Sequence, residues 1–252
     1  MTETANATWK YTVLGIVFVG LVALASFLVT REAARGTPPD AVYVVSGETI
    51  ELSSGVAAPW HDHAWTRFIE LVPAGRRGLV AEFHALPSSD VGGLVEASNN
   101  SLQNWSLAIG PPASDADLDN TLVHEYAHLI TLSPTQVIPA TSRDVRTSCT
   151  TYFTGEGCAR EGSIFDRFVE EFWSDEDLAT AKSNSDDLYG SDPDAFVTSY
   201  AATNPGEDIA ETFRFFVYRS KPRPNTVANA KIAFMWDVPE LVRIRSELRL
   251  EL

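Results

Sequence analysis

The longest apolar stretch of the chain lies near its amino terminus. Residues 11–29 read YTVLGIVFVGLVALASFLV and contain no charged side chain. A helix needs about 20 apolar residues to cross a bilayer, so this stretch predicts a single transmembrane anchor over residues 11–30, after a short tail at residues 1–10. A cleaved signal peptide is the alternative, with the Ala-Leu-Ala at residues 23–25 as its cleavage site.

Beyond this stretch, a linker and then a folded domain are predicted. Residues 31–41, REAARGTPPDA, combine charges with Gly and Pro-Pro, which is typical of a linker, and residues 42–252 form the domain. Strand-like runs come first, at 42–52 (with a Gly-containing turn), 78–86 and 105–109. Helical periodicity predicts the helices, at 64–72, 117–131, 163–173, 205–218, 228–236 and 239–250. Strands followed by helices predict an α+β fold with a mixed sheet and a helical carboxyl-terminal part.

Two segments of the domain show neither the alternation of a strand nor the periodicity of a helix, so loops are predicted there. One covers the 140s and 150s and holds both cysteines, Cys149 and Cys158. A disulfide between them would stabilise the fold by about 2–3 kcal/mol and would need an oxidising compartment, whereas two unrelated thiols are the alternative. The other covers residues 174–194, where every charged side chain except Lys182 is acidic, which favours a solvated loop.

Charge excludes some partners and bears on location. The formal net charge of -15 argues against nucleic acid and against adsorption to anionic lipid, because both need clustered Lys and Arg. Arg31 and Arg35 follow the apolar stretch while Lys10 precedes it. Because Lys and Arg are enriched on the cytoplasmic side of a membrane span, this distribution is weak evidence against a domain outside the cytoplasm. The cysteine pair favours the outside, so the prediction is a single-pass protein of the cell membrane with an extracytoplasmic domain.

The predicted helix over residues 117–131 carries the segment HEYAH, in which His124 and His128 lie four residues apart. This spacing places both imidazoles on one helix face, where they form a ready pair of zinc ligands. Glu125 lies next to the first histidine and can take a proton from water bound to that metal. The segment therefore predicts a catalytic zinc site.

A catalytic zinc ion needs a third protein ligand, and no histidine follows His128. The strongest carboxylate candidates are Glu207 and Glu211, four residues apart on the helix that Asn204 and a proline open. Glu207 also lies where a capping-box glutamate would lie, and in that case Glu211 becomes the next candidate. The upstream histidines have plainer interpretations. His61 and His63 are expected in an exposed polar turn, and His84 is expected in a core strand.

A resemblance extends this interpretation. The segment from Ser199 to Phe213, SYAATNPGEDIAETF, resembles the zinc peptidases of the anthrax lethal factor type, which use two histidines and one glutamate. The resemblance implies a zincin-like fold, Glu207 as the third zinc ligand, Tyr200 as an aid at the transition state and Glu211 as a supporting carboxylate. It covers two short patches only, and the chain has no room for receptor-binding or translocation domains, so the substrates of that family do not carry over.

Together these observations predict a membrane-anchored zinc endopeptidase that hydrolyses a peptide or protein substrate. The first alternative is a zinc-stabilised extracytoplasmic binding or scaffold domain without catalytic activity. A second alternative is a narrow peptidase that acts on cell-wall cross-link peptides. The sequence leaves the cleavage preference and the oligomeric state open.

Overall fold

A computed structural model describes residues 38–140 and 148–252 of the chain. The predicted anchor over residues 11–30, its signal-peptide alternative and most of the linker lie outside the described residues. Within the described ranges, no helix combines the length and the apolar character that a membrane span requires.

The main element of the fold is a mixed five-stranded sheet. Its strands are β1 (Ala41–Ser46), β2 (Thr49–Gly55), β3 (Val80–Ala85), β4 (Gly93–Ala97) and β5 (Trp105–Ile109). They are ordered β2-β1-β3-β5-β4, with β3 and β5 parallel and every other neighbouring pair antiparallel. β1 and β2 form a hairpin in which Gly47 adopts a positive φ of 64°, a conformation that glycine adopts without strain.

Eight α-helices follow or flank this sheet in the described part of the chain. They are α1 (Pro59–Leu71), α2 (Asp115–Thr131), α3 (Ile164–Phe172), α4 (Asp175–Ser183), α5 (Ser185–Ser191), α6 (Pro205–Tyr218), α7 (Val227–Trp236) and α8 (Pro239–Leu248). A short hairpin of β6 (Val137–Pro139) and β7 (Gly157–Ala159) lies between α2 and α3. The predicted α+β class with a mixed sheet is confirmed.

The loop predicted over residues 174–194 is wrong, because this segment forms α4 and α5. The Ser174 hydroxyl accepts a hydrogen bond from the backbone N–H of Asp177, whose carboxylate accepts one from the N–H of Ser174 in return. The Asn184 side chain caps α5 in a similar way. Acidic residues in a first turn also favour the positive end of the helix dipole, so the charges support helices here.

Three smaller differences separate the predicted elements from the observed ones. β4 was not predicted, because its sequence GLVEA holds one β-branched residue and no aromatic one, whereas WSLAI of β5 carries both kinds. The 140s and 150s were predicted as a loop, but β6 and β7 border this segment, and short strands depend on pairing across a distance that local composition does not reveal. The first helix begins at Pro59 and not at Ala64, because a proline is favoured at the first helical position.

One cluster of buried side chains joins the sheet to the helices. Phe83 of β3, Trp105 of β5 and Phe68 of α1 are fully buried, as are Leu122 of α2 and Phe213 of α6. Full burial of a large apolar side chain contributes roughly 1.5–3 kcal/mol, so this shared core fixes α2 against both the sheet and α6. These two helices carry the residues that the sequence singles out.

Candidate metal centre

The first part of the centre comes from α2. Ser114 caps this helix by accepting a hydrogen bond from the N–H of Asp117, so the helix begins at Asp115, two residues before the predicted start. His124, Glu125 and His128 are all buried although they are polar. The rings of His124 and His128 lie one turn apart, with centroids separated by 4.9 Å. Buried polar groups need partners, and most of those found here come from α6.

The second part is Glu207 in the first turn of α6. Asn204 caps that helix by accepting hydrogen bonds from the N–H groups of Gly206 and Glu207. The Glu207 side chain meanwhile reaches α2: its Oε2 atom lies 3.1 Å from His124 Nε2 and 3.2 Å from His128 Nε2. The two imidazole nitrogens are themselves 3.2 Å apart. The helix cap uses the Asn204 side chain and the backbone N–H of Glu207, whereas the contact with the histidines uses the Glu207 carboxylate. Glu207 therefore takes part in both interactions.

These three atoms form a nearly equilateral triangle that fits a metal ion. Ligand atoms held about 2.05 Å from a zinc ion at tetrahedral angles lie about 3.3 Å from one another. The observed separations of 3.1, 3.2 and 3.2 Å match that spacing, so His124, His128 and Glu207 can hold a divalent cation. Two imidazoles and one carboxylate suit zinc as well as other first-row metals, so the geometry supports a metal site without selecting the metal.

Electrostatics also favour a cation at this position. Burial lowers the pKa of His124, but hydrogen bonds to Glu207 and Glu211 outweigh it, with support from the charge of Glu125, and raise the pKa to about 10. Three carboxylates therefore surround one pair of imidazoles. This excess of negative charge is the environment that stabilises a bound divalent cation.

Glu211 lies one turn after Glu207 and contacts the other ring nitrogen of His124. Its Oε1 atom lies 3.0 Å from His124 Nδ1. Burial raises the pKa of Glu211, but His124 and Arg214 outweigh that effect and lower the pKa to about 2. An ionised carboxylate only accepts hydrogen bonds, so Glu211 holds a proton on Nδ1, and Nε2 would be the nitrogen that binds a metal ion once it gives up its own proton.

The remaining predicted site residue, Tyr200, lies next to the centre. It begins a short 3₁₀ turn, Tyr200–Thr203, that leads into α6. Its ring centroid is 5.9 Å from that of His124, with a tilt of 38° between the planes. The structure thus brings together all six residues that the sequence assigned to the centre: His124, Glu125, His128, Tyr200, Glu207 and Glu211.

The upstream histidines lie elsewhere. The exposed turn predicted for His61 is wrong, because this residue is buried in α1, where its Nδ1 atom accepts from the N–H of Ala58 and lies 2.8 Å from the Tyr43 hydroxyl. His63, also in α1, lies 2.9 Å from a carboxylate oxygen of Asp115. His84 lies in a strand as predicted, beside the carboxylate of Glu82.

Cys149 and Cys158 form a disulfide, with Cα atoms 5.4 Å apart. The bond ties the segment that connects β6 to β7 to β7 itself. The alternative of two unrelated thiols therefore does not describe the structure. The disulfide borders the region between α2 and α3 and supplies none of the three candidate ligand atoms.

Sequence reasoning missed Gly93, which lies at the start of β4 against α2. A Cβ atom at this position would lie 2.9 Å from Glu125 Cγ and 2.9 Å from Thr121 Cγ2. Carbon atoms in ordinary contact are about 3.5–4.0 Å apart, so only glycine lets Glu125 lie this close to the strand. The Gly-Gly doublet at residues 92–93 was the available signal, because paired glycines in a strand often mark a close approach.

Gly93→Ala is therefore expected to destabilise the protein by about 1–3 kcal/mol, because α2 must shift to relieve the overlap. Chemical denaturation of the variant and the parent measures this loss. Gly75→Ala is the matched control, since a Cβ atom at Gly75 would meet nothing within 4 Å. Equal stability of the Gly93 variant and the parent would show that β4 adjusts without cost.

Comparison of the chain with known protein families, with curated proteins and with solved structures returns no match.

Proposed function

We propose that the protein is a zinc-dependent endopeptidase of the zincin type. The observation that carries this proposal is the convergence of His124 Nε2, His128 Nε2 and Glu207 Oε2 within 3.2 Å of one another, with Glu125 buried next to the first histidine. A site that only stabilised the fold would need the ligands but not Glu125. The added carboxylate supports hydrolysis over a structural role.

Each residue then has a distinct task in peptide hydrolysis. A zinc ion held by His124, His128 and Glu207 would lower the pKa of a bound water molecule and would act as a Lewis acid towards the substrate carbonyl. Glu125 accepts the proton of the attacking water and passes it to the leaving amine, so it acts first as base and then as acid. Tyr200 donates a hydrogen bond to the oxygen on which negative charge develops. Glu211 keeps His124 in the tautomer that binds metal through Nε2.

We further propose that this domain works outside the cytoplasm, held to the cell membrane by the apolar segment at residues 11–30. The disulfide between Cys149 and Cys158 supports an oxidising compartment, because such bonds rarely persist in the cytosol. The length of the apolar segment supports an anchor over a signal peptide. The substrate of this proposal is a peptide or protein.

The decisive experiment combines metal analysis with a peptide library. The purified full chain is expected to contain about one zinc ion per molecule and to cleave library peptides, and a hydroxamate that ligates zinc is expected to stop the cleavage. Bound zinc without any cleavage would contradict the peptidase and support the binding or scaffold alternative. Cleavage confined to peptidoglycan fragments would indicate the cell-wall alternative.

Glu207→Ala is expected to weaken zinc binding by more than about 100-fold, since even groups that only support ligands contribute 10–100-fold. Competition with a chromogenic chelator measures the affinity. Glu176→Ala on the exposed face of α4 is the matched control and should bind zinc like the parent. Unchanged affinity in the Glu207 variant would contradict its assignment as a ligand.

A further inference from the structure

Arg214 lies behind the centre, on α6 and three residues after Glu211. Its Nε atom donates to Glu211 Oε1 at 3.0 Å, and its Nη2 atom donates to Glu211 Oε2 at 2.7 Å. This is a bidentate ion pair, the geometry in which a guanidinium group holds a carboxylate most firmly. The pair is well shielded from solvent, with 24% of the Arg214 side chain and 7% of the Glu211 side chain exposed.

Two further donors complete the environment of this carboxylate. His124 Nδ1 lies 3.0 Å from Oε1, and the hydroxyl of Thr198 donates to Oε2 at 2.8 Å. Each oxygen of Glu211 therefore meets two donors, one of which belongs to Arg214. A carboxylate held by four hydrogen bonds has a single orientation, and that orientation sets the direction of the His124 ring.

Arg214 also connects the two helices that supply the candidate ligands. Its Nη1 atom donates to Asn120 Oδ1 at 3.4 Å, and Asn120 lies one turn before His124 on α2. The Thr198 hydroxyl accepts a hydrogen bond from the N–H of Ala201, which lies in the turn that begins at Tyr200. One network of hydrogen bonds thus reaches the histidine helix, the glutamate helix and the tyrosine turn.

Removing Arg214 changes both charge and geometry at the centre. Glu211 would remain largely buried without the guanidinium group that now holds both of its oxygens. A buried carboxylate that loses its partner is costly, and the surrounding groups move to reduce that cost. Any rotation of Glu211 carries the His124 ring with it, so Nε2 no longer points at the position shared with His128 and Glu207.

We propose that Arg214 is a positioning residue of the metal centre, which holds Glu211 and through it aims His124 Nε2 at the metal. This inference rests on the proposed metal centre but not on peptide hydrolysis. Groups that orient metal ligands typically contribute 10–100-fold to affinity, so Arg214→Met is expected to weaken zinc binding by that factor. Arg214→Lys, which keeps the charge but not the bidentate fork, should fall between the parent and Arg214→Met.

The test measures zinc affinity of the full chain by competition with a chromogenic chelator, for the parent and each variant. Arg219→Met is the matched control, because Arg219 is an exposed residue just after the same helix and stacks on Phe215 at 4.3 Å. Its affinity should stay within about twofold of the parent, as expected for an exposed arginine that touches no site residue. Wild-type affinity in both Arg214 variants would overturn the inference.

A second measurement separates positioning from general stabilisation. Zinc raises the melting temperature of a protein that binds it, and the rise is smaller when binding is weaker. A positioning role predicts that Arg214→Met reduces this zinc-dependent rise. A merely structural role would lower the melting temperature equally with and without zinc, leave the rise unchanged, and overturn the inference.

A double-mutant cycle identifies the route of the effect. If Arg214 acts through Glu211, then Arg214→Met should cost little further affinity in a Glu211→Gln background, because the group it holds is already altered. Full additivity of the two substitutions would overturn the route through Glu211. Should Arg214→Met fail to fold, Arg214→Lys and Thr198→Val test the same network, and wild-type zinc affinity in both would overturn the inference.

These outcomes are distinct from those that test the proposed function. A parent chain that does not bind zinc overturns the metal centre and this inference together. A parent that binds zinc but cleaves no peptide overturns the peptidase alone. A parent that binds zinc and shares its affinity with the Arg214 variants overturns this inference alone.

Discussion

Glu125→Gln is expected to lower peptide hydrolysis by about 10²–10⁴-fold while the metal stays bound, because general-base catalysis typically contributes that factor. Glu125 is buried on α2 between the turn that carries His124 and the start of β4. Glutamine has nearly the same shape, so it fills the same space against Gly93. It cannot accept the proton of the attacking water, so only the proton transfer is lost.

The measurement is kcat/KM on a fluorogenic peptide taken from the library, together with the zinc content of the same preparation. Glu176→Gln makes the same chemical change at an exposed position of α4 and should keep full activity. Unchanged hydrolysis by the Glu125 variant would contradict general-base catalysis by this residue. Loss of zinc together with activity would show instead that Glu125 helps to hold the metal.

The second large effect is expected at a buried ion pair. Lys231→Met should lower the free energy of unfolding by about 3–5 kcal/mol, because it leaves a buried carboxylate without its partner. Lys231 on α7 and Asp208 on α6 are both fully buried, with Nζ and Oδ2 2.6 Å apart. Burial opposes both charges, since it raises the pKa of Asp208 to about 6 and lowers the pKa of Lys231.

Other groups complete the environment of this pair. The indole N–H of Trp173 donates to Asp208 Oδ2 at 2.9 Å, and Lys231 Nζ donates to the backbone oxygen of Ala195 at 2.8 Å. Nζ also lies 4.0 Å from the centre of the Phe196 ring. Asp208 directly follows Glu207, so the pair anchors the turn of α6 that carries the candidate ligand.

Chemical denaturation with the parent, the single variant and a double variant tests this expectation. Asp208→Asn combined with Lys231→Met removes both charges and should recover much of the lost stability. Lys221→Met is the matched control, because Lys221 forms a pair with Asp237 in which both side chains are at least half exposed, and such pairs contribute about 0–1 kcal/mol. A Lys231 variant as stable as the control would contradict the argument.

The helices of the centre were predictable because their signals are local. Ser114 and Asn204 cap α2 and α6 through backbone groups within three residues, so both starts can be recognised from neighbouring letters. The same kind of signal is present at Ser174 and Asp177, but the acidic composition of that segment favours a solvated loop. Its helices were therefore missed although the sequence contained the means to find them.

The sheet and the supporting network were less accessible. β4 is recognisable mainly by its pairing with β5, since GLVEA offers a single β-branched residue as a strand signal. Arg214 lies three residues after Glu211, a spacing that allows a helix-surface ion pair, yet the same spacing is common in helices without any functional role. The pairing of Asp208 with Lys231 joins two helices and has no counterpart in local sequence.

The sequence by itself determined that His124, Glu125 and His128 share one turn of a helix, because a helical backbone relates residues four apart whatever surrounds it. Only the tertiary structure decided which carboxylate lies beside the two imidazole Nε2 atoms. Glu207 meets His128 across 79 residues, and Glu211 meets His124 Nδ1 across 87. Contacts at such separations depend on how α2 and α6 pack on a common core, and that packing is a property of the whole chain.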